Sequence, residues 1–460
     1  MTVKYPESLR DYSWTFRFGL GQLQFLILLL AMLLFLVSTK VHSSENEPPI
    51  YWRSIVYFYP DDRIVGEDEL KLAFKDFDFV SEFPEKTENN TPLYTYEVIK
   101  NFDESYPVPD MSYLAYFGRG VTKAEAESIQ GSKLAVVIDA MFPISTAIKN
   151  VYGLNNAVFR FANQEHGLIW DSETRELFSP IAWKEKRISS WDKSGFPVIE
   201  DQIVIHAYQA GEGVRAITLG MSKFGLPDIV VDKFSWSLNG EVGSVINVVA
   251  QSIFEGTEVT DSFIRVDIDK LRDGEFKTRV KNSLKENAVQ RIDVGYREGK
   301  WESGDPNNYL IELTFDHIEG SSLSEKQSNF VHALFGWEDD IAYVRHNQLI
   351  KEASKRAREK LPSLKKDFNE GLAPGEYIQL KAPFDTDDEG VEWMWVEVLA
   401  WSNSEIKGLL KNEPYFIESL RAGMEVSINQ DDVFDYIRTD ANGNREGNET
   451  GELIQKYQVR

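Results

Sequence analysis

Residues 133–142 read KLAVVIDAMF, and this stretch indicates how the body of the protein is built. A continuous apolar run of this length is typical of a strand that is covered on both faces. Residues 54–60 (SIVYFYP) form a similar run upstream, and residues 145–165 have the pattern of a long helix capped by Ser145 or Thr146. This alternation of strands and helices predicts a mixed α/β body.

Shorter patterns complete the prediction for the body. Residues 112–117 (SYLAYF) are predicted as a strand, and residues 166–180 as a hairpin with its turn at 171–174. Residues 244–256 form an amphipathic helix that Gly256 ends.

The chain as a whole is predicted to be α+β, and composition shifts divide it into six segments. These are a flank (1–17), a transmembrane helix (18–37), a stalk (38–49), a mixed α/β domain (50–256), an α+β linking subdomain (257–340) and a strand-rich C-terminal domain (341–460).

The transmembrane prediction rests on residues 18–37, FGLGQLQFLILLLAMLLFLV, which carry no charge. A helix of this length is about 30 Å long, the thickness of the hydrocarbon core of a bilayer. A cleaved secretory signal is the alternative, because Val41 and Ser43 fit a small-residue cleavage site before Ser44. The long flank and long apolar core favour an uncleaved, single-pass anchor.

The basic residues near the apolar segment predict its orientation. Lys4, Arg10 and Arg17 precede the segment, whereas Lys40 follows it. The positive-inside rule therefore places the N-terminus in the cytoplasm and the body outside it.

Composition limits the chemistry that the body can perform. The chain has no cysteine, which excludes disulfides, thiolate metal sites and cysteine nucleophiles. Its formal net charge of −24 argues against general nucleic-acid binding, which depends on basic side chains that neutralise phosphates.

Residues 392–401 (EWMWVEVLAW) alternate as a strand whose faces are both mostly apolar. Strict alternation places Met394 and Val396 on one face and Trp393, Trp395 and Trp401 on the other. The tryptophans are either part of a central strand or an exposed surface that binds a peptide or another subunit.

The helix that begins near Asn347 is the basic stretch of this acidic chain. Lys355, Arg356 and Arg358 are its candidate contacts with an acidic partner. The alternative is a solvated helix face that balances the acidic body.

Several stretches of the last third occur in the order found in a known family. They are ASKRAREKLPSLKKDFNEGL (353–372), LKAPF (380–384), EWMWVEV (392–398), GLLKNEP (408–414), AGMEVSI (422–428), DDVFDYI (431–437) and EGNETG (446–451). Residues 341–455 thereby resemble the bacterial YegJ-like family, domain of unknown function 2314. The resemblance extends loosely upstream to FIRVDIDKLR (263–272), GDPNNYLIELTF (304–315), ALFGWEDDIAYVRH (333–346) and RAITLGMSKFGLPDI (215–229). It implies a bacterial origin but no activity.

The sequence contains no complete catalytic, cofactor-binding or metal-binding motif. The six histidines lack HxH or HExxH spacing, and no phosphate-binding loop or nucleophile elbow occurs. Residues 384–393 and 440–451 resemble calcium loops but are more simply turns. The candidates for an acid/base pair are Glu165 with His166, or Asp139 at the end of a strand. Because nearness in sequence does not bring side chains together in space, no catalytic residue and no cofactor are predicted.

These observations favour a membrane-anchored interaction or scaffold protein of the bacterial envelope. Its C-terminal domain is predicted to bind other proteins. The alternatives are an immunity or toxin-neutralising protein and a hydrolase with an unrecognised site.

Overall fold

The computed structural model describes residues 48–458 except 61–64, 86–91, 101, 103–105, 212, 273, 286, 321, 337–347, 387–390 and 415. The predicted transmembrane helix, residues 18–37, lies outside the described residues. Among the helices that are described, none combines the length and the apolarity needed to span a bilayer.

The described strands belong to three sheets. They are β1 (Pro49–Phe58), β2 (Asp78–Phe79), β3 (Leu93–Lys100), β4 (Gly118–Arg119), β5 (Leu134–Pro143), β6 (Gly167–Asp171), β7 (Glu176–Phe178), β8 (Val204–Ala210), β9 (Gly213–Leu219), β10 (Asp228–Phe234), β11 (Phe263–Asp267), β12 (Arg291–Glu298), β13 (Leu310–Thr314), β14 (Tyr377–Asp385), β15 (Val391–Ser402), β16 (Glu405–Leu410), β17 (Glu425–Asn429), β18 (Asp435–Thr439) and β19 (Arg445–Gly447).

The described α-helices flank these sheets. They are α1 (Glu67–Ala73), α2 (Met111–Phe117), α3 (Lys123–Ile129), α4 (Ala147–Gln164), α5 (Pro180–Trp183), α6 (Ser190–Ser194), α7 (Asn239–Phe254), α8 (Glu275–Ser283), α9 (Leu323–Phe335), α10 (Gln348–Glu370) and α11 (Glu449–Gln458). A π-helical turn, Lys184–Ser189, joins α5 to α6.

The first sheet is built around the apolar run, and its order is β2-β3-β5-β1-β6-β7-β4. Val136 and Ile138 on β5 contribute to a core that includes α4, whereas Val137 packs on the other face with residues of α2 and α3. The prediction of a strand covered on both faces is therefore confirmed. Its neighbours β1 and β3 are antiparallel to it, so helices on both faces do not require a parallel sheet here.

The strand predicted at residues 112–117 is wrong, because these residues form α2. Asp110 caps this helix, and its side chain accepts a hydrogen bond from the backbone N–H of Tyr113 at 2.8 Å. Tyr113 and Leu114 are buried, whereas Tyr116 is 75% exposed. The cap and the one-sided burial satisfy a short helix better than a strand.

The second sheet has the order β11-β12-β13-β10-β9-β8, with β10 parallel to β13. Strands β8, β9 and β10 precede residue 257 and strands β11, β12 and β13 follow it. The sheet therefore crosses the predicted boundary between residues 50–256 and 257–340. Helix α7 packs on it, and Gly256, with φ +78°, follows the helix as predicted. One apolar core includes Val56 of the first sheet and Val231 of the second.

The third sheet is antiparallel throughout, with the order β17-β16-β15-β14-β18-β19. Ala357, Leu361 and Leu364 of α10 pack against one of its faces in a separate core. The predicted α+β class with a strand-rich C-terminal region is confirmed for the described residues.

Candidate functional site

The two faces of β15, a central strand of the third sheet, differ in burial. One face is in the core, and we call the other, which is more exposed, the open face. Met394 and Val396 are fully buried against α10. Val391, Trp393 and Trp395 point to the opposite face because side chains alternate along a strand. The predicted alternation holds over this part of β15.

Trp401 does not share the face of Trp393 and Trp395, and this part of the prediction is wrong. The pairing of β15 with β16 shifts register between Val398 and Ala400, which indicates a β-bulge. The extra residue moves the following side chains to the other face. Trp401 is consequently 4% exposed in the core, and its Nε1 donates to Gln430 Oε1 at 2.9 Å.

The open face carries a row of large side chains that we call the aromatic strip, formed by Val391, Trp393, Trp395 and Phe434. The rings of Trp393 and Phe434 have centroids 4.5 Å apart. Both tryptophans are half-buried, and Val391 is 54% exposed. The Nζ atom of Lys381 lies 5.6 Å from the centroid of the Trp395 ring, which is cation–π geometry.

The open face is covered where β15 meets the second sheet. Glu397 is 2% exposed, and both of its carboxylate oxygens lie 2.6 Å from Ser235 Oγ, just after β10. Lys411 Nζ lies 3.7 Å from the same carboxylate. The aromatic strip therefore begins where contact with the second sheet ends.

The basic helix, α10, lies on the other side of the third sheet. Lys355, Arg356 and Arg358 are exposed, as an interaction surface requires. Arg356, however, is paired within the chain, since its Nε donates to Glu449 of α11 at 2.9 Å. Because the sheet separates α10 from the aromatic strip, the six predicted residues do not form one site.

A second polar site lies between the first two sheets and is formed by buried charges. Lys223 Nζ lies 3.0 Å from Asp171 Oδ2, and Arg187 Nη2 lies 3.1 Å from the same oxygen. Arg187 also contacts Glu176 at 3.1 Å and donates to Thr174 Oγ1 at 2.9 Å. Burial alone would raise the pKa of Asp171, but Lys223 and Arg187 lower it to about 2.

These two cations and two carboxylates compensate one another without solvent. Asp171 ends β6 in the first sheet, whereas Lys223 follows β9 in the second. Gly220 has φ +108°, and a Cβ atom there would lie 2.9 Å from Thr174 Cγ2. The cluster therefore joins the two sheets closely, as a structural contact does.

Asp228 is fully buried nearby but lies in a different environment. It accepts hydrogen bonds from the Thr218 hydroxyl and the Asn308 amide, both at 2.8 Å, and from the Met221 N–H at 3.3 Å. Burial outweighs these donors and raises its pKa to about 7. No cation lies within ion-pair distance of Asp228 among the described residues.

Sequence reasoning did not single out Lys223, Arg187 or Asp228 as site residues. One signal was available, because the mostly apolar segment RAITLGMSKFGLPDI (215–229) contains three charged residues. All three, Arg215, Lys223 and Asp228, are buried.

His206 lies on β8, and its side chain is half-buried. His206 Nε2 is inaccessible and has no hydrogen-bond partner among the described residues, while its ring lies 4.8 Å from that of Phe117. Burial, assisted by Arg175 and Arg119, lowers the pKa of His206 to about 3. The imidazole is therefore neutral at physiological pH.

The other acid/base candidates have structural roles. Asp139 forms a two-point ion pair with Arg53 across β5 and β1, at 2.5 and 2.9 Å. His166, with φ +53°, lies in the turn after α4 next to Glu165. The ion pair with Arg53 accounts for the position of Asp139.

The two calcium-like loops have different outcomes. Asp440 accepts hydrogen bonds from the N–H groups of Asn442 and Asn444, both at 2.8 Å, which confirms a turn. The other loop includes residues 387–390, which lie outside the described residues. No group of three or more potential metal ligands occurs within the described part of the chain.

Comparison with known families concerns the third sheet and its helices. Residues 347–456 match the family described as "Uncharacterized protein conserved in bacteria (DUF2314)". This match supports the predicted resemblance to domain of unknown function 2314 over residues 347–456. No curated protein and no solved structure matches the chain.

Proposed function

We propose that this chain is a single-pass, membrane-anchored interaction protein of the bacterial envelope whose C-terminal domain binds a partner protein through the aromatic strip. One observation carries the binding proposal. Trp393 and Trp395 lie half-buried on one face of the third sheet, next to the exposed Val391. Tryptophan is enriched in the residues that dominate protein–protein binding energies.

The anchoring part of the proposal rests on the apolar residues 18–37. The positive-inside rule supports a cytoplasmic N-terminus and an extracytoplasmic body. We also propose that the C-terminal domain is YegJ-like and that the upstream motifs place the chain among longer proteins that carry this domain.

Topology is tested by the protease accessibility of a C-terminal tag in cells whose outer barrier has been opened. Digestion of the tag, with Met1 or Thr2 retained at the N-terminus by mass spectrometry, is the expected result. A protected tag would place the body in the cytoplasm, and a new N-terminus at Ser44 would mean that residues 18–37 are a cleaved signal.

Binding is tested by in-cell photocrosslinking from a probe placed at Val391, with and without the double substitution Trp393→Ala/Trp395→Ala. We expect one discrete crosslinked product that the double variant loses. Trp301→Ala is the matched control, because Trp301 is 58% exposed and lies elsewhere. Crosslinking that is unchanged in the double variant would remove the aromatic strip from the interface.

The alternatives remain predictions with their own outcomes. A toxin-neutralising protein would bind a cationic effector tightly through its acidic surface. Such binding would persist in Trp393→Ala/Trp395→Ala. A hydrolase would instead require a substrate site that none of the arrangements described above supplies.

A further inference from the structure

The cations of α10 fall into two groups that differ in whether they form an ion pair with a carboxylate of the described residues. The paired group consists of Arg356 with Glu449 at 2.9 Å, Lys360 with Glu446 at 3.7 Å and Lys366 with Glu370 at 3.8 Å. Two of these three pairs connect α10 to the segment around α11. The charges of these cations are therefore at least partly balanced within the chain.

Lys351, Lys355 and Arg358 form the second group. They are exposed, and none lies within ion-pair distance of a carboxylate in the described part of the chain. Lys365 donates to the backbone carbonyl of Asn403, which does not neutralise its charge. We call these four residues the cationic stripe.

The spacing of the cationic stripe places it along one side of the helix. At 100° per residue, Lys351, Lys355, Arg358 and Lys365 lie within a sector of about 80° and extend over about 21 Å. Buried residues such as Ala357 and Leu361 point in another direction, into the core. Lys351, Lys355 and Arg358 are exposed and Lys365 is half-buried, so the stripe is a row of positive charges along one side of the helix.

This line of charge belongs to a molecule with a formal net charge of −24. An acidic partner is repelled by the molecule as a whole and attracted by the stripe, so the stripe determines where and in which orientation the partner binds. Complementary charge affects association rate and register more strongly than affinity.

We propose that the cationic stripe binds a carboxylate-rich segment of a partner protein. This inference rests on the proposed protein-binding function of the C-terminal domain, but it uses the face opposite to the aromatic strip. An extended acidic segment can follow the stripe over its whole length.

Two other occupants fit less well. An anionic bilayer would face the acidic body over a broad area, and the apolar side of α10 is already buried in the core, so no apolar insertion could add to the charge attraction. A second copy would bring two molecules of charge −24 together.

The test measures binding of a fluorescein-labelled deca-glutamate peptide to the full chain in neutral detergent by fluorescence anisotropy. We expect Lys351→Glu/Lys355→Glu/Arg358→Glu to weaken binding at least tenfold, and added salt to weaken binding to the wild type. A carboxylate-free peptide of equal length should not bind.

Two control variants distinguish an effect of the cationic stripe from an effect of the net charge of the chain. Lys75→Glu/Lys133→Glu/Lys149→Glu makes the same charge change at exposed positions elsewhere and should alter binding less than twofold. Arg356→Gln removes a paired cation on α10 and should retain binding. If the triple reversal of the stripe does not fold, as judged by circular dichroism, Lys355→Gln/Arg358→Gln replaces it and should weaken binding at least threefold.

Four outcomes would overturn the inference. The first two are equal peptide binding by the wild type and by the stripe variant, and an equal loss of peptide binding in Lys75→Glu/Lys133→Glu/Lys149→Glu. The other two are flotation with phosphatidylglycerol vesicles, or self-association in analytical ultracentrifugation, that the stripe variant loses. Trp393→Ala/Trp395→Ala should leave peptide binding intact. The proposal for the cationic stripe can therefore be refuted without refuting that for the aromatic strip, and the reverse also holds.

Discussion

The first and third sheets are both centred on an apolar strand, but they are covered to different extents. In the first sheet, β5 is enclosed by α4 on one face and by α2 and α3 on the other. In the third sheet, β15 is enclosed by α10 on one face, while Trp393 and Trp395 remain half-buried on the other. The half-buried face of β15 is the one through which we propose that a partner binds.

The two regions also differ in how they treat charge. Next to the first sheet, Asp171, Arg187 and Lys223 are buried and compensate one another. On the third sheet, Lys355 and Arg358 are exposed and lack an ion-pair partner among the described residues. A buried charge must be compensated within the fold, whereas an exposed charge is solvated by water and can bind a group of another molecule.

The largest expected effect comes from placing a charge on the closed face of β15. Val396→Asp buries a carboxylate in the core under α10, which should cost more than about 4 kcal/mol and unfold the C-terminal domain. Chemical denaturation followed by tryptophan fluorescence measures the loss. Trp395→Ala, one residue away on the open face, should cost about 1–2 kcal/mol. Equal losses would contradict the distinction between the two faces.

The next effect concerns the buried charges between the first two sheets. Lys223→Ala leaves Asp171 with one fewer cation in a solvent-free site, and the expected loss of unfolding free energy is about 3–5 kcal/mol. Urea denaturation provides the measurement. Lys149→Ala, at an exposed position on α4, is the control and should change stability by less than about 0.5 kcal/mol.

Asp228 predicts a pH dependence in the same closed region. Its folded-state pKa of about 7 exceeds the unfolded value of about 3.9, so its protonated form stabilises the fold below pH 4. This contribution is lost as the pH rises from about 4 to 7. Asp228→Asn should therefore flatten the decline in stability between about pH 4 and pH 7, measured by urea denaturation. A decline as steep as that of the wild type would refute the assignment.

The smallest effect is expected at an exposed ion pair of the third sheet. Arg356→Gln removes the contact with Glu449, and because both side chains are solvent-exposed and screened by water we expect the smallest loss of stability of the series. The melting temperature of the C-terminal domain, compared with that of the wild type, tests this expectation. A loss as large as that for Lys223→Ala would mean that exposure does not separate the two kinds of charge.

Local pattern alone predicted a large part of the fold. The strand at residues 133–142, the helix before Gly256 and the hairpin turn at residues 171–174 are present. The error at residues 112–117 has a local cause, since apolar residues in SYLAYF outweighed the cap supplied by Asp110. Short apolar runs do not by themselves distinguish a strand from a helix.

The candidate surfaces were predicted only in part, because two decisive features are non-local. A bulge against β16 moved Trp401 into the core, and strict alternation along β15 contains no sign of it. Arg356 found its partner in Glu449, 93 residues away in sequence.

Composition and local pattern are enough to establish the apolar segment at residues 18–37, the acidic charge, the absence of cysteine and the periodicity of the main strands and helices. These properties depend on composition or on neighbours a few residues apart. Long-range contacts, in contrast, set which charges are buried, which tryptophans of β15 are in the core and which cations of α10 have no carboxylate partner among the described residues. Those outcomes depend on contacts such as Lys223 with Asp171, 52 residues apart, and local periodicity carries no record of which distant segments meet.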